Sequence, residues 1–145
     1  MSEPFAKDSL LKSVFRILLA VIYLIAGIAH INSPEGFLAI TPIWVPYPDQ
    51  IIFWTGIAEI LGAIGLMIPP TRIPYMRYAA GIGLALYALC VFPANINHAI
   101  NNIALGGQTM GWAYHGPRLL FQPVFIWWAL LAGNVINWPF KTEKN

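Results

Sequence analysis

Charge is what this sequence has least of: Lys, Arg, Asp and Glu together make up 10% of its 145 residues, against 58% apolar residues. A water-soluble domain of this size exposes much of its chain. So little charge, with a mean hydropathy of +0.64, calls for a solvent that accepts apolar side chains, and lipid is that solvent. The chain has one cysteine, Cys90, which excludes an internal disulfide, a CxxC redox pair and a Cys-rich metal site; a small, buried, apolar role is expected for it. A net charge of +2, with no Lys/Arg cluster interleaved with aromatics, excludes nucleic acid as a partner. Nucleotide loops, catalytic triads and metalloprotease motifs are missing, and the glycines of AEILGAIGL serve helix contact rather than phosphate binding.

What is present is four apolar runs, from about Leu11 to Ile31, Ile51 to Ile68, Tyr78 to Ile96 and Leu119 to Ile136, each close to the ~20 residues a bilayer crossing needs. Backbone groups in hydrocarbon must pair within their own segment, which makes these runs helices. The expectation is an all-α membrane protein, a single domain over residues 1–145 forming a bundle of four transmembrane helices. The first run is expected to be kept as a helix rather than cleaved as a signal peptide, being long for a signal segment. Lys7, Lys12 and Arg16 precede the first run, Arg72 and Arg77 lie between the second and third, and Lys141 and Lys144 follow the fourth. The segments 32–50 and 97–117 contain no Lys or Arg. The positive-inside rule then puts both termini in the cytoplasm and those two segments outside, with Arg118 as the exception. Trp44, Tyr47 and Trp54 at one face, and Tyr75, Tyr78 and Trp138 at the other, fall where aromatic belts sit.

At ~100° per residue each run shows one face of small and polar residues: Ala20, Tyr23, Gly27 and His30; Thr55, Glu59, Gly62 and Ala63; Gly81, Ala85, Ala88, Phe92 and Asn95; Arg118, Gln122, Ala129 and Gly133. The polar members lie toward the outer end and mostly small residues occupy the inner half. This pattern predicts a bundle tight on its cytoplasmic side that opens outward into a cavity lined by His30, Glu59, Asn95, Arg118 and Gln122, with His98 nearby.

Glu59 lies about eight positions inside its run, roughly 12 Å deep at ~1.5 Å per residue. A carboxyl at that depth is expected to face the bundle, protonated, hydrogen-bonded or paired with a cation, and Arg118 is the first candidate. It reads either as a proton-handling or ligand-orienting group or as half of a structural ion pair. Arg118 reads as the partner of Glu59, as a donor to a ligand oxygen, or as a side chain snorkelling to headgroups. His30, His98 and His115 show no metal-binding helical interval, so hydrogen-bonding roles are expected and no metal site.

Ser33, Pro34 and Glu35 form a helix start before Phe37, Leu38 and Ile40, read as a short interfacial helix in the first outer loop. With the Pro-rich return through Trp44, it is expected either to form a lid over the cavity, Phe37 and Trp44 being the lid residues, or simply to anchor the loop in the membrane. The second outer connection carries Gly106, Gly107 and Gly111 beside Trp112, Tyr114 and His115, a flexible segment suited to a partner surface.

The segments GIAHINSPEGFLAITPIWVPYPD, GIAEILGAIGLMIP, VFPANINHAI and RLLFQPVFIWWAL resemble the DoxX family of bacterial membrane proteins. The resemblance implies a four-helix membrane fold in the bacterial cytoplasmic membrane and an association with respiratory redox systems. Named members are subunits of thiosulfate:quinone oxidoreductase or take part in oxidative-stress complexes. It carries over no catalytic residue set. Two functions from different classes stand. One is a subunit of a quinone-linked oxidoreductase whose pocket holds a quinone or similar lipophile, with no covalent cofactor. The other is a non-catalytic membrane scaffold, its partner a redox protein or a second copy of the chain. A small-molecule transporter is a weaker third.

Overall fold

The computed structural model describes residues 8–140, and they are all-helical apart from turns and one isolated bridge. Five helices follow in order: α1 Leu10–Asn32, α2 Glu35–Ile40, α3 Pro48–Met67, α4 Met76–Asn101 and α5 Trp112–Ala132. Three of them, α1, α3 and α4, are long and apolar enough to cross a membrane, and their outward surface suits contact with a lipid bilayer. At 21 residues α5 matches them in length, but it is less apolar and falls outside that group.

Local chemistry sets several helix ends. Ser9 caps α1 by accepting from the Lys12 amide at 3.2 Å, satisfying one of the free donors at a helix start. Pro48 opens α3, where its missing N–H costs nothing. The expected Ser33 start of α2 is corrected: Pro34 occupies the cap position without a side-chain bond, and Ser33 instead ends α1, its amide bonding the Ala29 carbonyl at 2.9 Å. Two longer helices also run past their expected limits. Pro93 is internal to α4, which continues to Asn101, and α5 begins at Trp112 rather than after Pro117, enclosing Pro117 and Pro123. Each internal proline forfeits one helical hydrogen bond, yet the helices persist because packing against neighbours outweighs a local break. The α4–α5 connection closes on Gly106 and Gly107 at φ 58° and 79°, letting Leu105 and Gln108 bond each other in both directions; only glycine enters two successive left-handed positions cheaply.

The long helices form a ring in which α1 packs on α3, α3 on α4, α4 on α5 and α5 back on α1, while α2 lies against α3 and α4. The core contains Leu19, Tyr23, Leu66, Leu84, Ala85 and Ala129. Helix pairs approach where side chains vanish. A Cβ on Gly27 would stand 2.6 Å from the Gly56 carbonyl oxygen, and one on Gly81 2.6 Å from the Gly133 Cα. The α1–α3 contact at Gly27 and Gly56 lies beside His30, so small residues are not confined to the half of the bundle remote from the polar ones. This corrects the simple tight-below, open-above division.

At the bundle end where α1 and α4 begin and α3 and α5 finish, a polar cluster closes the structure. Asp8 Oδ2 accepts from Arg16 Nη1 at 2.7 Å and Arg77 Nη1 at 3.1 Å. Arg16 Nε donates to the Ala132 carbonyl at 2.7 Å and Nη2 to Asn134 Oδ1 at 3.0 Å; Arg77 Nε donates to the Leu66 carbonyl at 3.1 Å, and Lys12 Nζ to Asn137 Oδ1 at 2.7 Å. Two arginines thus cap the last carbonyls of α3 and α5, where the helix dipole favours a cation. Lys12 and Arg16, read from sequence as residues preceding a span, lie inside α1 at 6% and 4% exposure. Of the other basic residues used to assign sidedness, Lys7, Lys141 and Lys144 lie outside the described residues.

Candidate functional site

A cavity of about 340 Å³ opens at the opposite end of the bundle, drawing residues from all five helices. Its wall is apolar over most of its area, formed by Ile22, Ala26, Ile52, Val91 and Phe125 among others, and Phe37, Ile40, Pro42 and Trp44 cover it. The cover is tied to α4 by Asn97, whose amide donates to the Ile40 carbonyl at 2.9 Å. Among the residues anticipated from sequence, His30, Glu59, Asn95, Arg118, Gln122, Phe37 and Trp44 all line this one cavity. His98 does not: it is fully buried behind the wall.

Glu59 is 3% exposed and His30 7%, brought together because Gly27 and Gly56 let α1 and α3 nearly touch at this level. His30 Nδ1 lies 2.8 Å from Glu59 Oε2 and 2.9 Å from the Ala26 carbonyl oxygen. A carbonyl can only accept, so Nδ1 carries a proton. That N–H points best at the Ala26 carbonyl, and the same nitrogen meets Glu59 Oε2 as an ion-pair contact, so one imidazole edge is shared between a helix carbonyl and the carboxyl. The Tyr87 hydroxyl also reaches the Glu59 carboxyl, and Tyr23 packs edge-on to Tyr87 with centroids 6.1 Å apart. The far face of the His30 ring stacks on Phe37 at 3.7 Å, so the cover directly contacts the acid–imidazole pair.

The Glu59–Arg118 pairing that the sequence left open is not formed among the described residues. Arg118 Nη1 lies 2.9 Å from His98 Nδ1 and 3.2 Å from the Tyr114 hydroxyl, with its guanidinium carbon 5.7 Å from the Tyr114 ring centre. His98 Nε2 is 3.1 Å from the Ile103 carbonyl. That acceptor fixes the proton on Nε2 and leaves Nδ1 as a lone pair facing the guanidinium. His98 is therefore a positioning residue for Arg118. Arg118 Nε and Nη2 have no partner among the described residues.

Between the two charged regions, Gln122 donates to the Ala88 carbonyl at 2.6 Å and accepts from Asn95 at 3.0 Å, so these amides brace α4 against α5. His115, expected to hydrogen-bond and to offer a contact on the second outer connection, is instead buried against His98 at 4.7 Å, away from the cavity and from the surface. Cys90 is exposed and sits in the cavity lining, a correction to the buried role expected for it. Tyr87 was missed; it lies about 100° round α4 from Ala88, off the small-residue face, and a tyrosine in an apolar run gives no signal until the acid it meets is known. No three His, Cys, Asp or Glu side chains converge as metal ligands among the described residues.

These features define a class: an all-helical membrane protein with an apolar cavity that holds a buried carboxyl–imidazole pair at one side and an arginine at another. The chain belongs to a family described as a domain of unknown function, DUF8561, whose model matches residues 19–132, a span that contains every cavity-lining residue. No curated protein and no solved structure matches it.

Proposed function

We propose that this is a four-span protein of the bacterial cytoplasmic membrane whose cavity holds a quinone or similar lipophile, as a subunit linked to respiratory redox chemistry. In this reading α5 is the fourth span, and the Asp8 end, which gathers the start of α1 and the end of α5, faces the cytoplasm. The observation that carries it is Glu59, a buried carboxyl that meets His30 at 2.8 Å on an otherwise apolar 340 Å³ cavity. An ionisable group kept at membrane depth costs on the order of 2.5–3.5 kcal/mol on insertion scales, and a ligand that uses it offsets that cost. The cavity falls in the size range of small-molecule sites, mostly apolar with few convergent polar groups. Resemblance to DoxX proteins supplies the quinone-linked part. Gentle detergent purification followed by lipid extraction and mass spectrometry tests it: a quinone should co-purify with the wild type and be depleted at least several-fold in Glu59→Gln. Recovery of only bulk phospholipid from both would leave the scaffold reading in its place.

A further inference from the structure

Among the described residues, Arg118 is the only lysine or arginine on the cavity wall, and the protein holds it without neutralising it. Its contacts are all uncharged: Nη1 lies 2.9 Å from the His98 Nδ1 lone pair and 3.2 Å from the Tyr114 hydroxyl, and the guanidinium carbon stands 5.7 Å over the Tyr114 ring. The ion pairs of the described residues leave it out. Asp8 serves Arg16 and Arg77 at the other end of the bundle, and Glu59 is met by His30. Both side-chain bonds fall on Nη1, so Nε and Nη2 keep their hydrogens unused. Those two nitrogens form one edge of the guanidinium, the edge whose parallel N–H groups take both oxygens of a single carboxylate or phosphate. A cation in apolar surroundings is costly until an anion meets it.

We infer that the cavity's ligand is an amphiphile whose anionic oxygen head, a carboxylate or a phosphate, pairs with the Nε–Nη2 edge of Arg118 while its apolar body fills the cavity. This rests on the cavity being a lipophile site and narrows the lipophile to an acidic one. A neutral quinone carbonyl meets the same donors but leaves the positive charge unmatched, and a lipophilic ammonium is repelled by it. Glu59 is engaged on α3 by the His30 imidazole and the Tyr87 hydroxyl, whose hydrogens blunt its repulsion of an anionic head. The tail has a path as well. Ile51, Cys90 and Pro93 line the cavity and are also exposed on the outside of α3 and α4, so the apolar wall runs out to the lipid-facing surface and an alkyl chain longer than the cavity can follow it.

Cys90 is the chain's only cysteine and lines the cavity, so protection of its thiol from N-ethylmaleimide reports occupancy in delipidated full-length protein reconstituted in phosphatidylcholine nanodiscs. The probes are dodecanoate, dodecyl phosphate and dodecanol, which share one tail and differ in the head, at mildly alkaline pH where the carboxyl is ionised. The better of the two anionic probes should protect at a concentration about tenfold below that of dodecanol, the gain of a bidentate charged pair, and which of them is better names the head. Dodecanol enters the bilayer more readily, so unequal partitioning works against this result. In Arg118→Gln the ratio should fall below about threefold. Equal or weaker protection by both anionic probes in the wild type overturns the inference and leaves the cavity reading intact. An undiminished preference for the anion in Arg118→Gln overturns the assignment to Arg118. Protection by none of the three overturns the cavity reading and the inference with it. Should Arg118→Gln fail to fold, the wild-type ratio alone still decides between an acidic and a neutral head.

Discussion

Arg16, near the start of α1, donates through Nε to the carbonyl of Ala132, the last residue of α5, at 2.7 Å. The same guanidinium reaches Asn134 and Asp8, and Asp8 in turn accepts from Arg77 at the start of α4. One side chain therefore joins three helices and closes the ring at the end remote from the cavity. Replacing it removes three hydrogen bonds and leaves a helix-terminal carbonyl bare. Arg16→Leu should destabilise the protein by roughly 3 kcal/mol, the cost typical of breaking a buried charged pair from one side, seen as a clear drop in the thermal midpoint in detergent. Arg16→Lys should recover only part, because an ammonium cannot supply the planar fork that reaches Ala132, Asn134 and Asp8 together. A midpoint unchanged in Arg16→Leu would show that the cluster holds nothing together.

Asp8 gives this cluster a pH dependence. Burial pushes its carboxyl pKa up, but the hydrogen bond and charge of Arg16, with the charges of Lys12 and Arg77, outweigh that and hold it below the ordinary carboxylate value. A depressed pKa means the folded form binds its proton less readily than the unfolded chain. The stabilisation is therefore full above the unfolded value of about 3.9 and is lost as pH falls through the lower folded value. Unfolding midpoints measured between neutral and strongly acidic pH should fall on the acid side in the wild type. In Asp8→Asn that acid limb should be shallower, and the stability at neutral pH should be lower.

The glycine contacts allow a paired comparison. Gly27→Ala places a Cβ 2.6 Å from the Gly56 oxygen and 2.8 Å from an Ile60 side-chain carbon, so α1 and α3 must separate. The expected loss is about 1–3 kcal/mol, the usual cost of overpacking. Because the same contact sets the His30–Glu59 distance, ligand retention should fall with it. Gly36→Ala, where a Cβ meets nothing within 4 Å, should be neutral or stabilising by up to about 1 kcal/mol through helix propensity. Equal effects in thermal melts would remove the argument for close α1–α3 packing.

Among the described residues, the cover over the cavity is held to α4 by one side-chain hydrogen bond, from Asn97 to Ile40. Asn97→Ala should loosen α2 while keeping both His30 and Glu59 in the chain, and the rate of Cys90 modification by a lipophilic maleimide should rise several-fold. A rate unchanged within twofold would indicate that α2 is fastened by its apolar contacts alone.

The long apolar runs of α1, α3 and α4 were legible because bilayer length and backbone pairing leave only helices for such segments. His30, Glu59, Asn95, Arg118 and Gln122 were legible as one constellation because helical periodicity puts each on the small-residue face of its own run. The partners of those residues were not. Sequence charge offered Arg118 as one possible partner for Glu59, whereas Glu59 meets His30 because two glycines bring their helices into contact. Lys12, Arg16 and Arg77 looked like loop charges because their acceptors are backbone carbonyls and one aspartate spread over distant parts of the chain.

By itself the sequence determined that this protein is helical, suited to lipid and polar along one stripe of each long helix, since composition and periodicity are properties of each segment alone. Only the tertiary structure decided which stripes meet, that an imidazole and a carboxyl share one corner while the arginine is held by a second histidine, and that both charged corners line one cavity. Those outcomes depend on interhelical distances set by glycine contacts between segments far apart in the chain, and no local pattern encodes a distance.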